Sequence, residues 1–130
     1  MTFLTKEWLK AAKDDLSTIE HLLCEEHLTT IVSFHAQQVI EKCFKAVLEE
    51  TSQKVQKVHD IRKLHKELEQ YFPLGNQEIN VLLKINELYI DSRYPGDLGL
   101  LPNGKPSLDD ARVFYEFARK IYLYTSKTWG

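Results

Sequence analysis

The chain has 130 residues, 43% of them hydrophobic and 28% charged, with a net charge of −2. That length suits one domain, 1–130, large enough to bury a core without metal or disulfide staples, and the composition excludes a disordered chain. The near-neutral charge excludes a global electrostatic pull toward nucleic acid or membrane, and no apolar run approaches the roughly 20 residues needed to span a bilayer.

Glycine and proline are scarce and concentrated around Pro73–Gly75 and Pro95–Pro106, which favours long helices over many short strands. The first predicted helix runs from about Thr5, a candidate cap, to Cys24. Trp8, Ala11, Ala12, Leu16, Ile19, Leu22 and Leu23 form its apolar stripe. The second, about Leu28 to Thr51, carries apolar residues on more than one side. It is therefore expected to be central in a bundle or to share a face with another subunit. Its most apolar stretch also holds His35, Gln37, Gln38, Glu41 and Lys42. Buried polar side chains need partners, so these residues are expected to bridge to a neighbouring helix, a ligand or a second subunit. His35, Gln37, Gln38 and Glu41 are the candidate interface residues.

A basic stretch follows. Lys54, Lys57, Arg62, Lys63 and Lys66 stand against the single acid Asp60, with His59 and His65 among them. Such a run is either a solvated face or a phosphate-contacting surface. The third helix is predicted from Asp60, a natural cap, to about Tyr71, with Pro73 as its stop. His59, just before that cap, is placed to donate to a carbonyl or to act as a general base near neutral pH.

The fourth helix is predicted from about Asn76 to Ser92, ended by Pro95. Arg93, Tyr94 and Asp97 open the longest loop, residues 93–106. An arginine there either satisfies the last helix carbonyls or binds phosphate bidentately, and Tyr94 is a candidate stacking ring. The fifth helix is predicted from Ser107 to about Ser126, with Ser107 and Asp110 as a capping box. The fold class is all-α: an antiparallel up-and-down bundle of four long helices plus one shorter helix.

Cys24 and Cys43 lack CxxC spacing and read as reduced thiols of a cytosolic, cytoplasmic protein. The opening residues do not resemble a signal peptide. No HxxxH, HExxH or phosphate-loop pattern occurs, so no metal and no cofactor is expected.

The ordered set of Ala36-Gln37-Gln38 with Glu41-Lys42, His59-Asp60, Ser92-Arg93-Tyr94-Pro95 and Asp110-Ala111 resembles the HEPN family. That resemblance implies a four- or five-helix bundle that forms homodimers. It also implies an association with nucleotides or RNA, and in many members with a minimal nucleotidyltransferase partner, some pairs being toxin–antitoxin systems. One branch of the family consists of metal-independent ribonucleases with an Arg, four to six residues, then a His. This chain departs from that motif: none of Arg62, Arg93, Arg112 and Arg119 is followed by His at that spacing. The implied nucleotide or RNA site comprises His59, Asp60, Arg93, Tyr94 and Asp97, with Lys57, Lys63 and Lys66 supplying field. The alternatives are a divergent ribonuclease using His59 and Arg93, and a plain dimerisation or adaptor domain.

Overall fold

The computed structural model describes residues 1–92 and 105–130; Arg93, Tyr94 and Asp97 lie outside the described residues. The described residues form five α-helices: α1 Phe3–Leu22, α2 Thr29–Glu50, α3 Ile61–Glu67, α4 Asn76–Ser92 and α5 Leu108–Trp129. A short 3₁₀ turn at Glu26–Leu28 joins α1 to α2.

Side-chain pairs between helices set the direction of each. Thr5 Oγ1 reaches the Ala46 carbonyl at 3.5 Å, while Asp15 meets His35 and Lys42, so α1 and α2 run antiparallel. Phe34 near the start of α2 touches Tyr89 near the end of α4. Glu78 and Asp110 pair with Lys120 and Lys84, which sets α4 against α5. The Tyr115 hydroxyl donates to Glu20 at 2.6 Å and closes α5 onto α1. The result is the up-down-up-down bundle expected from the sequence, with α3 as a short extra element.

The breadth of apolar surface on α2 follows from its position: it packs against α1, α3, α4 and α5. Ile40, Phe44 and Leu48 are fully buried along it. Each such side chain contributes about 1.5–3 kcal/mol by leaving water. Cys43 is buried there too, which pushes its thiol up to about 12, whereas Cys24 is exposed; both are free.

Helix ends depart from expectation where tertiary contacts intervene. Thr2, not Thr5, caps α1 by accepting from the Thr5 amide, because the Thr5 hydroxyl is buried against α2. The third helix stops at Glu67 rather than Tyr71, well before Pro73. There the chain turns so that Phe72 packs on Phe44, 5.0 Å between ring centroids, and His65 Nε2 donates to the Phe72 carbonyl. The fifth helix continues to Trp129, whose ring sits among Tyr71, Phe72 and Tyr124. The Ser107–Asp110 capping box forms as the sequence predicts.

At the end of α2, Ser52 takes a left-handed φ of 58°. The Ser52 amide donates to Glu49 and the Gln53 amide to Leu48, a Schellman closure with serine where glycine is usual.

Candidate functional site

Glu41 is the hub of the polar residues on α2. It is 4% exposed and Lys45, one turn on, is 6% exposed. Lys45 Nζ donates to Glu41 Oε2 at 2.9 Å and sits 5.6 Å above the Trp8 ring. Gln37, one turn earlier and fully buried, donates its amide to Glu41 Oε1 at 2.9 Å and to the His59 carbonyl at 2.7 Å. Gln38 donates to Gln37 Oε1 at 2.7 Å. This chain of bonds fixes the side-chain amides of both glutamines.

His59 completes the arrangement from the connection between α2 and α3. Its Nδ1 lies 3.2 Å from both Glu41 oxygens, so the ring donates to the carboxylate. Half of the side chain is exposed. Nδ1 held at Glu41 leaves Nε2 on the opposite ring edge, away from the carboxylate. Tyr89 of α4 lies 6.2 Å from the imidazole, centroid to centroid.

Asp60 does something different. Its carboxylate accepts from the Arg62 and Lys63 amides, capping α3, and from the Asn86 side chain on α4 at 3.0 Å. The Ile61 amide donates to Asn86 Oδ1. His59 and Asp60 are therefore neighbours in sequence with separate duties: the acid behind His59 is Glu41. Lys57, Lys63 and Lys66 are exposed on the connection and on α3, while Arg62 is half-buried with Nη1 3.4 Å from His65 Nδ1.

A second imidazole–carboxylate pair lies on the other flank of α2. His35 Nδ1 donates to Asp15 Oδ1 at 2.8 Å, and Lys42 Nζ donates to Asp15 Oδ2 at 2.5 Å. Burial pushes the Asp15 carboxyl up, but the hydrogen bonds and charges of His35 and Lys42 outweigh it and hold it below its usual value. All four residues expected at an interface thus have hydrogen-bond partners in their own chain, and Gln37 and Glu41 are buried with theirs. His35 and Gln38 are half-buried.

Sequence reasoning singled out neither Lys45 nor Asp15. Both break an apolar pattern: Lys45 lies between Phe44 and Ala46, and Asp15 sits one turn from Ala11, Ala12 and Ile19 on the stripe of α1. Among the described residues, no group of three or more His, Cys, Asp or Glu side chains is placed to hold a metal ion.

The HEPN domain family model matches residues 5–128. This chain belongs to the HEPN domain family. No curated protein matches the HEPN chain. Among solved structures, it is similar to the crystal structure of TT1696 from Thermus thermophilus. The TM-score is 0.74 and the identity 22%, over 95% of this chain and 96% of that one. At that identity the likeness concerns the fold. Among the described residues, no helix of the HEPN bundle is long and apolar enough to cross a membrane.

Proposed function

We propose that this HEPN module acts as a homodimer that binds nucleotide or RNA through the face around His59. We further propose that it works with a minimal nucleotidyltransferase partner, in the manner of one half of a toxin–antitoxin pair. The observation that carries the binding reading is His59 itself. A half-exposed imidazole is held by a buried carboxylate at the end of a basic connection. An imidazole oriented by Glu41 offers its outer edge to a phosphate oxygen, and Lys57, Lys63 and Lys66 are exposed nearby in sequence. The family resemblance implies that Arg93, Tyr94 and Asp97 join this site, Arg93 on phosphate and Tyr94 stacking on a base.

The same geometry supports a second reading, a divergent metal-independent ribonuclease. Glu41 fixes the His59 ring as a carboxylate fixes a general base, with Nε2 available to take a proton. Arg93 would stabilise the transition state. The missing Arg-x₄₋₆-His motif places this reading second.

One experiment separates the two. Labelled single-stranded RNA is titrated in EDTA with wild-type protein and with His59→Ala, following both anisotropy and chain integrity. Binding that falls about tenfold in the variant, without cleavage, supports the binding module; the loss corresponds to one charge-assisted hydrogen bond. Cleavage by the wild type alone selects the ribonuclease. Equal binding by both proteins removes His59 from the site.

A further inference from the structure

The Asp15–His35–Lys42 group contains more than packing requires. Asp15 is a largely buried carboxylate at the α1–α2 contact, and one cation is enough to neutralise it. Lys42 already does so at 2.5 Å. His35 adds a second donor to the same carboxylate. Its ring is bound at Nδ1 and stands edge-on to Phe34, 5.3 Å between centroids, with 23% of the side chain still exposed. This repeats the arrangement at His59: an imidazole with its inner nitrogen on a carboxylate and its outer nitrogen left over.

The two imidazoles belong to one continuous strip. Phe34 contacts His35 on one side and Tyr89 on the other, at 5.3 and 5.5 Å, and Tyr89 contacts His59 at 6.2 Å. Gln38 lies one helical turn from His35 and is tied through Gln37 to the His59 carbonyl. Half-buried Phe34 and buried Tyr89 thus lie between two carboxylate-oriented imidazoles.

We infer that His35 is a second phosphate-contacting residue, that Asp15 is its positioning residue, and that the ligand is a single-stranded nucleic acid whose phosphates reach both imidazoles. This rests on the nucleic-acid reading of the His59 face and extends it from a mononucleotide to a strand. A protonated imidazole held at Nδ1 presents Nε2–H to a phosphate oxygen as a charge-assisted donor. A mononucleotide engages His59 alone, whereas a strand gains the second contact.

The test uses a labelled oligouridylate of about ten nucleotides and UMP as the short probe, with wild type, His35→Asn and His59→Asn. Asparagine places an amide nitrogen close to Nδ1, so the Asp15 bond survives while Nε2 is lost. Wild type binds the long probe more tightly than UMP. His35→Asn loses about tenfold on the long probe, with its salt slope reduced by about 0.7, the value for one single-strand phosphate contact. Retention of wild-type affinity and slope by His35→Asn overturns the assignment, even while His59→Asn weakens binding. A wild type that binds neither probe overturns the nucleic-acid reading itself. Wild-type protein labelled at the histidine Cε1 positions guards against a folding defect in the variant. The His35 resonance shifts on adding the long probe, and an unmoved His35 resonance beside a shifted His59 resonance also overturns the assignment.

Discussion

Removing one member of the Glu41–Lys45 pair exposes how the centre of the bundle is held. Both side chains are almost fully buried, and among the described residues Lys45 has Glu41 and the face of Trp8 as partners. Glu41 has three donors: Lys45, Gln37 and His59. Glu41→Met therefore strands a buried ammonium and costs about 3–5 kcal/mol, the range for breaking a buried pair. Lys45→Met leaves a carboxylate with two hydrogen bonds intact and costs less, about 2–3 kcal/mol, the scale of one charge-assisted bond. The double variant replaces both charges with apolar side chains of similar length. It should lie within about 1–2 kcal/mol of wild type, since well-packed apolar replacement of a buried pair is often neutral. Urea unfolding followed by circular dichroism reads all four corners of the cycle, with an unchanged m-value confirming the same unfolding reaction. For a domain of this size the Glu41→Met loss corresponds to a fall in Tm of roughly 10–20 °C. A double variant as unstable as the sum of the singles refutes the pairing, and a costlier Lys45→Met refutes the asymmetry.

Two further predictions concern the α2 terminus and the α1–α2 contact. Ser52→Gly removes the left-handed strain at φ 58° and should raise stability by about 1 kcal/mol, readable as a higher urea midpoint; an unchanged or lower midpoint contradicts it. Asp15 gives a pH dependence of definite sign. Its folded carboxyl is depressed, so its contribution is fully present above the unfolded value near 3.8 and is lost as pH falls through the folded value. Wild-type stability should therefore fall more steeply than that of Asp15→Asn below about pH 4, and parallel curves there would show that the His35 and Lys42 bonds do not hold the carboxyl down.

The helices were legible because their signal is periodic and local. The caps at Asp60 and Ser107 were legible for the same reason: each accepts amides within three residues. What escaped the sequence depends on distant contacts. Thr5 has cap chemistry, but the Ala46 carbonyl claims its hydroxyl. Residues after Glu67 have helical composition, but Phe72 leaves the helix to fill the space beside Phe44. At the site, His59 was visible and its acid was not. Asp60 is adjacent in sequence, yet Glu41 lies 18 residues earlier and reaches His59 only once α2 is in place. Lys45 drew no notice in the sequence, where it is one lysine of a helix between Phe44 and Ala46. Its burial comes from the helices packed around α2, which a helical period alone does not reveal.

The buried network also accounts for how a residue in irregular structure is held in one orientation. Residues 51–60 contain no helix or strand, and a loop of that length has no ladder to fix His59. Two residues of α2 replace it. Gln37 holds the His59 carbonyl, and Glu41, one turn further on, holds the His59 ring. Backbone and side chain of one loop residue are thus both anchored to the most buried helix of the bundle. Lys45 donates to the Glu41 carboxylate from one turn further on and holds it in register. The polar stripe Gln37–Glu41–Lys45, which interrupts the most apolar helix in the chain, makes physical sense as the support of His59. It explains why a helix already surrounded by partners carries charge at its centre: Glu41 acts on the His59 ring and Lys45 on Glu41.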